Sequence, residues 1–539
     1  MISSSIRVLN PISSHEIEIF MNTFPYSLKS SLPDHRHRLC HILKSLMTRL
    51  KEIARAASRD AKNERKRLNA TQAKEKSESL TKIEINPIIS LETKAKENLT
   101  GICKWLNKIL LGNIYPNSPF EREVLALDLL HTVFETLGEN DPSLGYFYSC
   151  SMVASLLNIF VSSWDKSRIL ASDLLLKFPS PWPGYSDPKS IQNLFVFALK
   201  LSGSPRLRES DAGALIIRNI YLTYCFKLGW LVFNVNDPTF SIIETEPLDP
   251  TTNTSYACAQ FILLLCSLLE SRMHKLSDLF DVVSSQDETE TSPCDYSKIS
   301  LCNGLVLSLR YCIMDSFKYD IFQSLSKLVI KNEQITSNLL INDETYYDWT
   351  TVLNHSFDVV FSALHLSMKV VAEAASDVPF APYAANENSD GNGDGNDNSH
   401  LDLSENTCNV ESELEGDNGS LAMSKGPINS STKQKVTNKY MFVNTNGFMG
   451  SAVEEEGDTS VTAVSTQKAV VGAWLLVKES TCYLSNLVLS SGSAKNKSCD
   501  NHSGFISNAK INELGLYLLD GLNRLKHMGA ISETYNCNL

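Results

Sequence analysis

Apolar residues return every three to four positions through nearly the whole chain, and almost no run alternates with period two. In "FEREVLALDLLHTVFETLG" the stripe is Leu125, Leu129, Val133 and Leu137. The same spacing runs through "HRLCHILKSLMTRLKEIARAASRDAKNERKRL", "LTGICKWLNKILLGNIY", "SMVASLLNIFVSSWDKSRILASDLLLKF" and "SIQNLFVFALKLSG". It continues in "GALIIRNIYLTYCFKLGWLV", "ACAQFILLLCSLLESRMHKLSDLFDVV", "LCNGLVLSLRYCIMDSFKYDIFQSLSKLVI", "WTTVLNHSFDVVFSALHLSMKVVAEAA" and "QKAVVGAWLLVKESTCYLSNLVLSS". Residues at i, i+3, i+4 and i+7 share one face of an α-helix, so each segment is expected to bury one face and expose the other. A chain of such segments cannot build a sheet core. It must bury helix against helix.

Helices of about 15–20 residues joined by short loops, without glycine-rich strand–turn units, point to stacked helix pairs. The expected fold is all-α, an α-solenoid of HEAT or armadillo type. Four regions follow: N-terminal helices with a basic helix and a polar linker over 1–99, a helical-repeat region over 100–376, an acidic insert over 377–439, and further helices over 440–539. The insert's central stretch, "NENSDGNGDGNDNSHLDLSENTCNVESELEGDNGS", holds no aromatic residue. Such a composition buries too little surface to offset ordering and is expected to be disordered.

With 539 residues, 43% of them hydrophobic and 20% charged, the chain can bury a large core. Its net charge of -12 argues against coating nucleic acid with the whole surface, but permits a local basic patch. The 13 cysteines include no C-x-x-C pair and sit mostly in apolar runs, as Cys258 and Cys266 do. They read as reduced core thiols of a cytosolic or nuclear protein, and the expected localisation is cytoplasmic. The longest apolar run, Tyr256 to Leu269, is interrupted by Gln260 and Ser267 and reads as a core helix, not a membrane span.

Few motifs carry chemistry. "DGNGDGNDNSHL" fits an EF-hand start at Asp390, Asn392, Asp394 and Gly395, but Leu401 stands where a bidentate Glu is required. His35, His37, Cys40 and His41 offer metal-ligand types within two turns, yet no further ligand is evident, and a solvated helix face accounts for them. Arg55, Arg59, Lys62, Arg65, Lys66 and Arg67 could meet RNA phosphates. Glu52, Asp60 and Glu64 between them suit a salt-bridged face instead. No G-x-S-x-G, Walker A, H-E-x-x-H or kinase set is present. No catalytic residue, cofactor or metal is expected.

"SPRLRESDAGAL", residues 204–215, stands out. Glu209 and Asp211 fall early in a helix, where the macrodipole favours carboxylates. Gly213 lowers helix propensity by about 1 kcal/mol relative to Ala, which close approach of a neighbouring helix would offset. Arg206 and Arg208 either pair with Asp211 or another acidic neighbour, or reach a partner.

Six blocks in order resemble the thyroid-adenoma-associated protein (THADA) family. They are "WLNKILLGNIYPNSPFEREVLALDLL", with Trp105, Tyr115, Pro116 and Arg122 matching and Asn117 replacing the usual Gly; "WDKSRILASDLLLKFPSPWPG"; "SPRLRESDAGALIIRNIYLTY"; "LCNGLVLSLRY", with Asn303 in place of His; "VVGAWLLVKES", carrying Trp474, Lys478 and Glu479; and "GLNRLKHMGAI", carrying Lys526, His527 and Gly529. The resemblance covers roughly residues 100–539. It implies a non-catalytic helical scaffold that binds an FtsJ-like tRNA methyltransferase and helps present the tRNA anticodon region for 2′-O-ribose methylation at nucleotide 32. The enzyme partner would supply the S-adenosylmethionine chemistry. Family members are much longer and carry an R-R-x-S-A-G-L-P segment soon after K-H-x-G-A, so this sequence reads as a fragment. The alternative is a protein-interaction scaffold without an RNA role, for which calcium-pump or metabolic regulation is the family's precedent. The residues expected at a partner or RNA surface are Arg122, Arg206, Arg208, Lys478 and Lys526. Trp105, Pro116, Glu209, Asp211, Gly213, Trp474, Glu479, His527 and Gly529 are expected to be structural.

Overall fold

The computed structural model describes residues 12–30, 32–74, 87–115, 118–236, 239–243, 250–284, 301–322, 349–374, 461–494 and 505–524. Among these are thirteen α-helices: α1 (Ser14–Ser27), α2 (Pro33–Lys74), α3 (Pro87–Leu111), α4 (Phe120–Leu137), α5 (Cys150–Ile159), α6 (Asp165–Leu176), α7 (Pro188–Ser202), α8 (Leu207–Ile220), α9 (Pro250–Ser284), α10 (Asn303–Lys318), α11 (Trp349–Ala374), α12 (Val461–Ala494) and α13 (Asn508–Arg524). The fold is all-α and built of helical repeats. The proposed acidic insert and the EF-hand-like stretch lie outside the described residues, as do Pro116, Asn117, Lys526, His527 and Gly529.

Helix starts follow local chemistry. Ser13 and Glu16 form a reciprocal capping box at α1, the Ser149 hydroxyl accepts from the Met152 N–H at α5, and Asp187 accepts from the Ser190 N–H at α7, with Pro188 at the first helical position. The helices form two layers. In one, α2, α4, α6, α8, α10 and α12 pack side by side in chain order. The other is built on top: α3 packs on α2, α5 on α6, α7 on α8, α9 on α10 and α11, and α11 on α12. This is how a helical repeat buries its apolar faces: each helix is covered by its pair-mate and by the next repeat. The α4 stripe does so as the spacing predicts, with Leu129 and Val133 fully buried and Leu125 and Leu137 nearly so.

Two segments depart from expectation. "SMVASLLNIFVSSWDKSRILASDLLLKF" reads as one amphipathic run, but the chain breaks it at 160–164 into α5 and α6. Ser162 and Ser163 in that break have hydroxyls that compete for backbone and side-chain partners. "GALIIRNIYLTYCFKLGWLV" reads as one helix. Instead α8 ends at Ile220, Tyr221–Phe226 form a π-helical turn, and Gly229 at φ +70° reverses the chain into β1 (Leu231–Asn236). That strand pairs antiparallel with β2 (Thr239–Ile243), and the hairpin packs between α7 and α9. Only glycine adopts such a φ freely, so Gly229 is the local cause of the stop. Helix lengths also exceed the expected range: α2 has 42 residues, α9 35 and α12 34.

Among the described residues one helical stretch, Thr254–Ser277, is long and apolar enough to cross a membrane. It lies within α9, and its Phe261, Ile262, Leu265, Cys266 and Leu269 have no exposure at all, as in a central core helix. The described cysteines are all free thiols. Burial raises several of them, Cys40 to about 11 and Cys103 and Cys258 to about 12, so they are inert, small core residues.

Candidate functional site

The "SPRLRESDAGAL" block starts α8 and is fixed by a close crossing at Ser202, the last residue of α7. A Cβ at Gly213 would lie 2.5 Å from the Ser202 nitrogen and 2.6 Å from the Ala198 carbonyl oxygen. A Cβ at Gly304, on α10, would lie 2.8 Å from the Ser202 Cα. Two glycines from two helices therefore clasp one backbone position, the close approach that Gly213 implied. Polar groups complete the junction. Arg272 of α9 donates to the Leu199 carbonyl (2.8 Å), the Ser202 hydroxyl (3.3 Å) and the Leu301 carbonyl (3.0 Å), and the Leu301 N–H donates to the Gly203 carbonyl (3.0 Å). A guanidinium at a helix C-terminus satisfies carbonyls that have no partner within the helix. Asn303 Nδ2 donates to the Ser210 hydroxyl at 3.1 Å, tying the start of α10 to α8.

From this junction a charged shelf crosses α6, α8, α10 and α12. Arg168 of α6 pairs with Asp165 and reaches Asp211 of α8 (3.3 Å). Arg218, two turns further along α8, grips Asp315 of α10 through two bonds, Nε–Oδ2 2.6 Å and Nη2–Oδ1 3.1 Å. Arg310 of α10 pairs with Glu479 of α12 at 3.0 Å. Between them Tyr311 has the guanidinium carbons of both Arg218 and Arg310 at 5.8 Å from its ring centroid. Each step links the next helix of the same layer.

The electrostatics follow from partial burial. Burial raises the Asp211 carboxyl above its ordinary 3.8 and Asp165 adds to the rise, while Arg168, Lys478 and Arg310 oppose it. Burial also lifts the Tyr311 phenol above its usual value. Burial works against the Arg218 charge, yet the Asp315 hydrogen bonds and charge hold its pKa above normal. The shelf is thus a row of fixed, mostly compensated charges with an aromatic face among them. It can present oriented donors and acceptors to another molecule. Among the described residues no three His, Cys, Asp or Glu side chains are grouped to hold a metal. A surface depression of about 400 Å³ lies apart from the shelf, lined by Thr350, Thr351, Asn354, His355 and Asp358 of α11.

The structure brings three sequence blocks together here: 204–215, 301–311 and 471–480. Lys478 and Trp474 lie half-buried one turn apart on α12, and Glu479 is buried in its pair with Arg310. Arg206 pairs with an acidic neighbour, as the helix-start reading allowed, and Arg208 does not. Arg206 bonds Glu209 (3.2 Å), Arg208 donates to the Ser163 hydroxyl (2.6 Å), and Asp211 takes Arg168 instead. Arg206 is the residue before the helix and Asp211 lies on its fifth position, so their side chains diverge. Trp105 is remote from the shelf, packed against Phe20 (5.9 Å) and Phe24 (5.5 Å) of α1. Arg122, half-buried on α4, meets no carboxylate among the described residues. Sequence reasoning passed over Arg168, Arg218, Arg272, Arg310, Tyr311 and Asp315. The available signal was a charged residue recurring inside otherwise apolar helices, as in "LVLSLRYCIMD".

Comparison with known proteins gives consistent results. The profile of a family described as "Trm732, TPR repeats" matches residues 1–175, and that of "THADA/TRM732, DUF2428" matches residues 351–538. TPR units, like HEAT and armadillo units, are stacked helix pairs. Proteins named "tRNA (32-2'-O)-methyltransferase regulator THADA" from Canis lupus familiaris and Homo sapiens are each 26% identical over 212 residues, 38% of this chain and 10% of theirs. The protein of that name from Gallus gallus is 26% identical over 200 residues, 36% of this chain and 10% of its own length. The chain therefore aligns with about a tenth of the length of these relatives. No solved structure gives a significant match.

Proposed function

The chain belongs to the THADA/TRM732 family, and from that premise we propose that it acts as a non-catalytic regulator of tRNA 2′-O-ribose methylation at nucleotide 32. In this reading it binds an FtsJ-like methyltransferase and holds the tRNA anticodon region while the enzyme supplies the chemistry, in the cytoplasm. The observation that carries the reading is the shelf at Asp211, Arg310, Tyr311 and Lys478. Family blocks far apart in sequence meet there, and their charges are locked by pairs between neighbouring helices. Rigid charges of this kind position a partner without reorganising when it binds.

The test uses the full-length protein. Its removal is expected to abolish 2′-O-methylation at nucleotide 32 of the substrate tRNAs, read by ribose-methylation mapping, and the protein is expected to co-purify with the methyltransferase. Unchanged methylation would refute the reading.

A further inference from the structure

We propose that the edge formed by the N-terminal ends of α4, α6 and α8 is the docking surface for the methyltransferase, through an apolar side chain of the enzyme seated on Trp164 and an adjacent carboxylate bound by Arg208. The proposal rests on the regulator reading above and adds where the enzyme sits and what it presents.

Trp164 is the residue immediately before α6, where Ser, Thr, Asp or Asn would normally accept a bond from the helix N-terminus. Its indole caps nothing and remains 49% exposed. One side of the ring packs on Phe120, at the start of α4, with centroids 4.3 Å apart and planes tilted by 40°. Leu207, next to Arg208 at the start of α8, is also exposed (44%), as is Tyr115 (40%) after α3. A local structural need does not account for an exposed tryptophan at this place. Trp and Arg are the residues over-represented at the energetic centres of protein interfaces.

The edge is rigid before any partner arrives. Buried Glu123 accepts from the Ser162 hydroxyl (3.0 Å) and the Ser118 hydroxyl (3.4 Å), joining the loops that precede α6 and α4. Arg168 Nη1 donates to the Ser162 carbonyl (3.4 Å), and Arg208 Nη1 donates to the Ser163 hydroxyl (2.6 Å), adding α8. Preorganisation of this kind removes the ordering cost of binding.

Charge selects the occupant. Glu209 is taken by Arg206, Asp165 by Arg168 and Asp128 by Lys166. Arg208, beside Trp164, has a neutral hydroxyl as its partner, and Arg122 on α4 meets no carboxylate among the described residues. The edge thus carries both signs: Arg208 and Arg122 meet no carboxylate, and Glu121, exposed in the first turn of α4, pairs with no cation among the described residues. A polyanion such as tRNA draws affinity from many phosphate contacts, which an edge of mixed sign does not offer. A protein surface with one apolar anchor beside a carboxylate fits both features.

The experiment measures affinity between the purified full-length protein and its methyltransferase by calorimetry, with tRNA binding followed separately. Trp164→Ala and Arg208→Glu are each expected to weaken enzyme binding on the order of tenfold or more, as loss of an interface anchor does. Each variant should still unfold in a single cooperative transition, and tRNA affinity should be unchanged. Leu91→Ala, a still more exposed apolar position on α3 in the other layer, should bind the enzyme normally. Enzyme affinity equal to wild type in both edge variants would overturn the proposal alone. Loss of tRNA affinity with enzyme affinity retained would also overturn it, in favour of a nucleic-acid platform. Failure of the wild-type protein to bind the enzyme would overturn both this proposal and the regulator reading.

Discussion

The Ser202 backbone is held by two absent side chains. With Gly213 and Gly304 both facing it, a methyl group at either position meets backbone atoms that cannot rotate away. Gly213→Ala and Gly304→Ala are each expected to destabilise the protein by about 1–3 kcal/mol despite alanine's better helix propensity, because the overpacking outweighs it. Chemical denaturation would read the effect, and a stabilised Gly213→Ala variant would refute the close-packing account. Asp211 gives a pH prediction. Its carboxyl is raised above 3.8 in the fold, so between the unfolded and folded pKa values the native state holds more proton than the unfolded state. Stability contributed by this group is therefore highest at acid pH and falls as pH rises through that window. Relative to Asp211→Asn, the wild type should lose stability from about pH 4 upward and then level off above the folded pKa, measured as the difference between two unfolding-versus-pH curves. A difference that grows in favour of the wild type with rising pH would contradict it.

At the scale of elements, α8 is the coupling helix. It packs on α7 through Gly213, binds α6 through Asp211 and clamps α10 through Arg218. The Arg218–Asp315 pair is the most exacting of these contacts, since Asp315 is only 6% exposed. Asp315→Ala is expected to cost about 3 kcal/mol by leaving a guanidinium without its carboxylate, and Arg218→Met with Asp315→Leu should recover most of that loss. Urea unfolding of the single and double variants would check both. The element boundaries were legible where a stripe dictates them, as along Leu125–Leu137. They were not legible at 160–164 or after Ile220. There the apolar period continues across the break, and the stop depends on serine hydroxyls and a glycine φ that periodicity does not register.

For the whole molecule, the alternation of helices between two layers places 204–215, 301–311 and 471–480 beside one another although the chain separates them by roughly 90 residues or more. If the shelf contacts tRNA phosphate, Lys478→Gln should weaken binding evenly across tRNA sequences and lower the slope of log affinity against log salt by about 1. Filter binding over a salt series measures this, and an unaltered slope would place Lys478 outside the RNA contact. Six ordered blocks were enough to indicate the family, and the 3.6-residue period was enough to indicate the all-α class, because both are properties of residues near in sequence. Which arginine meets which carboxylate was not accessible in the same way. Arg206 and Arg208 lie nearest Asp211 along the chain, yet Arg168, 43 positions away, is the one that pairs with it. A helix start points neighbouring side chains in different directions, and the partner is chosen by which helix packs alongside. Sequence by itself determined that this protein stacks helices and which positions face its core. Only tertiary packing decided the clasp on Ser202, the order of charges along the shelf and the exposure of Trp164, since each depends on atoms contributed by separate helices.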